Sequence, residues 1–353
     1  MLNSRTPLYL AVSAAALSLA HTGTALAQTQ GGEQALLEEV VITGTRSQKP
    51  RTVADSPVPI DVLSAEQFNS LGNTADITDN LKSLIPSYTA TPATGDGSAF
   101  IRPTSLRGMA PDQTLVLVNG KRRHRSALVQ FFAPAAGNGA HGVDIGMIPS
   151  IGLKSVEVLR DGAAAQYGSD AIAGVMNFRM RDDREGGAVQ VQYGEFFDGE
   201  QSMKVGANGG FAIGSDGFLN LTGEFWDNDG LSRGIQRPDA AALIAAGNQG
   251  VGADAVFGDE PFVQSWGRPE TSGYRLFFNS GISLNDTTEV YAFGNYAETD
   301  GRYRFFYRSP THSSMVKFRD QFGYDGPLNE SGYTPYLDGD QEDVSLNVGI
   351  RGD

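Results

Sequence analysis

From Gly187 onward the chain alternates apolar and polar positions with a period of two. Val189, Val191 and Tyr193 alternate with Gln190 and Gln192; Met203, Val205, Ala207 and Phe211 with Lys204, Gly206, Asn208 and Gly210; Leu219, Leu221 and Phe225 with Asn220, Thr222 and Glu224. Leu276, Phe278, Ile282 and Leu284 follow, and Val344, Leu346, Val348 and Ile350 stand opposite Ser345, Asn347, Gly349 and Arg351. Successive side chains of a strand point to opposite faces, so each segment predicts a strand with one apolar and one polar face. Residues 288–296 are open in phase, because Tyr291 and Phe293 compete with Val290 and Ala292 for the apolar face. The connections 214–217 and 285–288 are tight, whereas 226–271 and 300–341 are long and rich in Gly, Asp, Arg and Tyr. Such segments and links fit a transmembrane β-barrel with short periplasmic turns and longer outer loops; a soluble one-sided sheet gives the same alternation.

Residues 51–181 have a different texture, that of a small mixed domain. Residues 58–63 read as a strand, and Ser64-Ala65-Glu66-Gln67 is a capping box that opens a short helix. A second helix is expected from about Thr74, with Ile77, Leu81, Leu84 and Ile85 on one face and Pro86 as its stop. Residues 114–118 form a short buried strand ended by the Asn119-Gly120 turn. Two further strands, 156–159 and 175–178, are joined by a Gly/Ala-rich link with turn signals at Asp161-Gly162 and Tyr167-Gly168-Ser169.

Composition narrows the classes. The 353 residues carry no cysteine, which removes disulfides and thiolate metal sites. A formal charge of -14 argues against nucleic acid as a partner, since phosphate binding needs a basic surface. Beyond the N-terminus there is no run of about 18 apolar residues of the kind a membrane-spanning helix needs. The N-terminus itself reads as a signal peptide, residues 1–27: Arg5 is the positive region, Leu8 to Leu19 the apolar region, and Ala25-Leu26-Ala27 the small-residue cleavage site.

Two stretches resemble a known family. Residues 155–180, S-V-E-V-L-R-D-G-A-A-A-Q-Y-G-S-D-A-I-A-G-V-M-N-F-R-M, are similar to the closing signature of the plug domain of TonB-dependent outer-membrane transporters, and Leu106-Arg107-Gly108 and the L-V-L-V-N-G-K-R run also stand where that plug has counterparts. The β-branched run Glu39-Val40-Val41-Ile42-Thr43 resembles the TonB box, which the TonB protein captures by edge-on β-pairing. An ordinary first strand of the plug is the other reading of that run, and no strand partner for it is evident nearby. The resemblance implies an α+β plug domain followed by antiparallel transmembrane β-barrel strands. It divides the chain into residues 28–50 with the box, 51–181 as plug and 186–353 as barrel. About ten residues between cleavage site and box leave no room for an extra signalling domain. About six alternating segments are fewer than the roughly 8 strands of the smallest outer-membrane barrels, so an incomplete barrel is expected, from a truncated product or a split transporter.

The function implied is import across the Gram-negative outer membrane of a scarce nutrient such as an iron chelate, with outer-membrane lipid and TonB as partners and no cofactor. Phe100, Arg102, Arg122, Arg123, His124 and Arg125 are the ligand candidates at the plug apex; the basic run at 121–125 reads equally as a loop salt-bridged to acidic barrel walls. Arg107, Glu157 and Arg160 match charged positions that in the family help hold plug to barrel, or else lie exposed on a plug face. The alternative function is a periplasmic β-rich hydrolase or carbohydrate-binding protein. It would use Gly230-Leu231-Ser232-Arg233-Gly234 as a nucleophile elbow, although Asp227-Asn228-Asp229 separates Ser232 from the preceding strand. Gly137 to Gly142 spells G-x-G-x-x-G without the strand–helix context a dinucleotide needs, and histidines at 21, 124, 141 and 312 have no metal-ligand spacing.

Overall fold

A computed structural model describes residues 40–41, 51–52, 59–70, 77–90, 97–130, 137–160, 164–248, 262–263 and 265–352. Residues 1–27, expected to be a signal peptide, and Glu39, Ile42 and Thr43 lie outside the described residues. Val40–Val41 (β1) pairs antiparallel with Arg51–Thr52 (β2), Val40 opposite Thr52 and Val41 opposite Arg51. The β-branched run therefore does have a nearby strand partner, contrary to the expectation from sequence.

The mixed domain is built as its punctuation predicts. Strand β3 (Ile60–Ser64) runs into helix α1 (Ala65–Ser70) through a reciprocal cap. Gln67 N donates to Ser64 Oγ at 3.2 Å and Ser64 N to Gln67 Oε1 at 2.9 Å, which satisfies two helix-end donors. Helix α2 (Ile77–Leu84) buries Ile77 and Leu81, and two short strands follow, β4 (Tyr88–Ala90) and β5 (Thr104–Leu106). Strand β6 (Thr114–Val118) is buried along its whole length and turns at Asn119 (φ 48) and Gly120 (φ 77) into β7 (Lys121–Arg122). Two positive φ values fit the Asn-Gly preference of a tight hairpin. Strands β8 (Leu153–Leu159) and β9 (Gly174–Met180), with the one-turn helix α3 (Ala164–Tyr167) between them, complete a sheet of order β3-β8-β9-β6-β7. At Gly174 (φ 141) a Cβ would stand 2.5 Å from the Leu159 carbonyl oxygen, so the signature glycine is required by a close backbone approach.

Most of the remaining described residues belong to one large antiparallel sheet. Its strands are β10 (Gly187–Glu195), β11 (Gln201–Ile213), β12 (Gly217–Asn228), β15 (Glu270–Asn285), β16 (Thr288–Arg304) and β17 (Tyr336–Gly352), hydrogen-bonded in that order. Among the described residues the sheet is open, with no pairing between β10 and β17. Tight turns join its strands at one end, the turn end. At the other, the loop end, long connections carry β13 (Leu231–Ser232), α4 (Pro238–Ala245), β14 (Gly267–Arg268), α5 (Ser313–Phe322) and α6 (Leu328–Ser331). These loops pack on each other through Ala240, Phe262 and Tyr307, the last two rings 5.3 Å apart.

The sheet is inside out relative to a soluble protein. Val189, Val191, Val344, Leu346, Val348 and Ile350 are each 60–71% exposed, while Lys204, Asn208, Asn220, Thr222, Glu224, Arg275, Asn279 and Asn295 on the other face are buried. The polar face is dry because the mixed domain covers it. The open phase of β16 resolves by the same contact: Phe293 turns inward with Phe277 and joins the core that contains Phe178 and Met180, leaving Val290 and Ala292 for the outer face.

Candidate functional site: the seam between the mixed domain and the wall

The inward polar residues of the sheet, here called the wall, meet the mixed domain along one seam. Glu224 of β12, fully buried, accepts from the backbone N of Ser150 at 3.1 Å and from its Oγ at 2.6 Å. The wall balances the carboxylate with its own cations: Arg275 Nη1 lies 2.9 Å and Lys204 Nζ 3.7 Å away. Arg275 is stacked 3.8 Å over the Trp226 ring. The approach needs small residues on both sides. A Cβ at Gly152 would meet Thr222 Oγ1 at 2.7 Å, and one at Gly206 would meet Ile151 Cγ2 at 3.1 Å.

Further along the seam, Arg123 just beyond β7 is buried against β16 and β17. It donates to Asp343 Oδ1 at 2.5 Å, Asn295 Oδ1 at 2.6 Å and Ser345 Oγ at 3.0 Å, and His124 Nε2 lies 2.7 Å from Asp343 Oδ2. Arg122 turns away from the wall to Asp170 and the Tyr167 carbonyl, and Arg125 is exposed. The basic run is thus divided among three environments rather than gathered at one apex.

Phe100 and Arg102 do come together. Both line a cavity of about 70 Å³ at the loop end of the seam, with Asp144 from the mixed domain and Trp226, Arg268 and Arg275 from the wall. Asp144 accepts from Arg102 N at 3.1 Å, Gly146 N at 2.8 Å and Gln341 Nε2 at 3.0 Å. Burial pushes its carboxyl above the usual range, against those hydrogen bonds. Arg275 Nε is buried with no hydrogen-bond partner. Guanidinium groups and two aromatic rings around a small space can hold an anionic or π-rich group.

The residues expected from the resemblance to hold plug to barrel make contacts inside the mixed domain. Arg107, at φ 57, donates to the carbonyls of Ile172 and Ala173; Glu157 accepts from Asn177 Nδ2 at 3.2 Å; Arg160 pairs with Asp61 at 2.9 Å. For Glu157 sheet position explains this, since β8 is flanked by β3 and β9. Sequence reading missed Asp144, Ser150, Arg275 and Asp343 as seam residues. The signal was in the alternation, because a charge on the inward phase of a covered sheet has to find a partner.

The two catalytic lookalikes have structural employment. Ser232 Oγ accepts from Gly234 N at 3.3 Å and Trp266 N at 3.2 Å, and His312 caps α5, its Nδ1 accepting from Ser314 N at 3.2 Å. The segment after Gly142 leads into a single 3-10 turn, Ile145–Met147, and offers no helix N-terminus to a pyrophosphate.

Residues 52–175 match the family described as "TonB-dependent Receptor Plug Domain". The chain carries the plug of a TonB-dependent receptor. The mixed domain is that plug, and the antiparallel sheet beside it resembles part of a TonB-dependent receptor barrel. Similar proteins include the "Iron-regulated outer membrane virulence protein" of Vibrio cholerae, 33% identical over 144 residues, 40% of this chain and 20% of the relative. The "Vitamin B12 transporter BtuB" of Vibrio cholerae is 29% identical over 214 residues, 59% of this chain and 31% of the relative. The chain therefore spans a fifth to a third of the length of these relatives. Among solved structures, the siderophore receptor PirA from Acinetobacter baumannii aligns over 83% of this chain and 38% of its own, with TM-score 0.53 and 19% identity. A mutant of the ferric enterobactin receptor PfeA from Pseudomonas aeruginosa, in complex with enterobactin, aligns over 82% of this chain and 39% of its own, with TM-score 0.52 and 16% identity. At such identities the structural likeness concerns the fold. The named relatives are a receptor-type outer-membrane protein and a transporter rather than enzymes.

Proposed function

We propose that the chain is the plug and part of the wall of an outer-membrane receptor that binds a scarce nutrient on its loop side and admits it to the periplasm when TonB acts on the plug. The observation that carries this reading is the inverted sheet: apolar residues outward, and a buried polar face held to the plug by reversible polar contacts such as Glu224–Ser150. A plug secured by hydrogen bonds and ion pairs can be displaced without tearing an apolar core. The loop-end cavity lined by Phe100, Arg102, Trp226 and Arg275 is the seat proposed for one part of the ligand. Its arginines suit an anionic ligand such as a ferric chelate, and relatives with iron and vitamin B12 in their names support a scarce-nutrient role.

In this reading residues 1–27 are a signal peptide, 28–50 the TonB-interacting segment, 51–181 the plug and 186–353 wall. Glu39, Val40, Val41, Ile42 and Thr43 form the strand that TonB captures. Of these, Val40–Val41 is already extended and paired on one edge, which leaves the other edge for a partner strand. The test is photo-crosslinking in cells, with a crosslinking residue placed at Glu39. A TonB adduct that is lost in Val41→Pro and Ile42→Pro supports the assignment, because proline removes a ladder donor. An adduct of equal yield in wild type and both variants contradicts it.

A further inference from the structure

A second cavity, of about 150 Å³, lies at the turn end of the seam. Its plug side is the Asn119-Gly120-Lys121 turn with Arg179 and Asp182, and its wall side includes Asn279, Tyr291 and Arg351. We propose that this cavity is a seat for a small polyvalent oxyanion of the phosphate or carboxylate class, held between plug and wall on the periplasmic side.

Three cations converge on the cavity in a chain whose formal charge is -14. Arg351 is committed to Glu289, with contacts of 2.7 and 3.0 Å, and Asp182 to Lys154 at 2.6 Å. Lys121 and Arg179 have no carboxylate partner among the described residues. Lys121 Nζ stands 5.4 Å and Arg351 Cζ 5.5 Å from the Tyr291 ring centroid, so the aromatic face draws cationic groups to the cavity without neutralising them. An anion entering here meets uncompensated positive charge beside low-dielectric aromatic walls, where electrostatic attraction is stronger than in water.

The frame is preorganised. Asn119 Nδ2 donates to Asn279 Oδ1 at 3.2 Å, Met180 N to Asn119 Oδ1 at 2.9 Å, Gly120 N to Asn177 Oδ1 at 3.0 Å, and Asn279 Nδ2 to the Arg181 carbonyl at 2.9 Å. The turn that presents Lys121 is therefore fixed to both the plug sheet and the wall, and little ordering remains for binding to impose. Tyr291 is fixed as well, its hydroxyl filling the space where Gly349 lacks a side chain. The seat rests on this geometry and not on nutrient import. Loss of import would leave it standing, and failure to bind an anion would leave the import reading untouched.

The experiment is calorimetric titration of the detergent-solubilised chain at low salt with inorganic pyrophosphate and, separately, with citrate. One saturable site is expected with at least one probe. Lys121→Gln and Arg179→Gln should each weaken it about tenfold, on the scale of one charge-assisted contact. The double variant should abolish it, and Lys121→Arg should retain it. Arg102→Gln, in the other cavity, should leave it unchanged. Neither the Lys121 nor the Arg179 side chain makes a hydrogen bond among the described residues, so the variants should keep the wild-type circular dichroism. No saturable binding of either probe to the wild type, or equal affinity in the folded double variant, would overturn the proposal.

Discussion

The ring of Phe100 occupies the space in which a side chain at Gly301 would stand. Gly301 on β16 faces Gly339 on β17 in the ladder, and the same ring also fills the place of the missing Gly339 side chain. Two facing glycines thus make a shallow window in the wall, and the plug apex closes it with an aromatic face. A β-branched residue at Gly301 would collide with the ring while leaving the strand's own pairing intact. Gly301→Val is expected to expel Phe100 and lower the unfolding midpoint of the solubilised chain, with a cost of about 1–3 kcal/mol from overpacking. Combining it with Phe100→Ala should recover part of that loss, because the clash is gone. Additive losses in the double variant would show that the two residues do not share the space.

Glu224 is the buried anion on which the seam depends. Glu224→Ala removes the carboxylate that Lys204 and Arg275 share and leaves Ser150 N without its acceptor. Breaking one member of a buried charged group costs about 3–5 kcal/mol. Protease digestion of the solubilised chain should therefore cut the 137–152 region sooner in Glu224→Ala than in wild type. Replacing all three charged residues together, Lys204→Met, Glu224→Leu and Arg275→Met, should cost less than Glu224→Ala alone, because no charge is left stranded.

Asp144 gives the plug apex a pH dependence of defined sign. Its carboxyl is pushed up from the ordinary value by burial, against hydrogen bonds from Arg102 N, Gln341 and Gly146 N. The folded state therefore holds the proton more tightly than the unfolded chain, whose aspartate titrates near about 3.9. The contribution of this group to stability is fully present below the unfolded value and declines as pH rises through the higher folded one. Asp144→Asn removes the titration while keeping an acceptor for the two backbone donors. Its urea midpoint should exceed that of wild type at pH 7 and approach it at pH 4; the opposite order would place the carboxylate among the groups that stabilise the fold when ionised.

Much of this architecture is legible in the sequence because the rules involved are local. The Ser64–Gln67 cap, the Asn119-Gly120 hairpin and the alternation from Val189 to Ile350 each depend on neighbours within a few residues, and each forms where expected. The seam is different. Arg123 meets Asp343 across 220 positions, and Glu224 meets Ser150 across 74. Charge and spacing along the chain do not encode which inward residue a plug cation will reach. The basic run 121–125 shows the limit, since the neighbouring Arg122 and Arg123 leave an extended backbone on opposite sides. The phase of β16 stayed open in the sequence for a related reason: Tyr291 and Phe293 are apolar enough for lipid, but the apolar part of the plug claims the inner side at that level.

Strand β17 is the place to test whether the sheet faces lipid with its apolar side and the plug with its polar side. The chain has no cysteine, so single cysteines can be placed at positions 344 to 350 and spin-labelled after insertion into the outer membrane. Collision rates with oxygen, which concentrates in lipid, and with a water-soluble nickel chelate should alternate with a period of two. Labels at Val344, Leu346, Val348 and Ile350 should favour oxygen, while those at Ser345, Asn347 and Gly349 should be shielded from both reagents. A uniform profile, or nickel access at Leu346 and Val348 equal to that of a water-exposed loop position such as Asp325, would contradict the account.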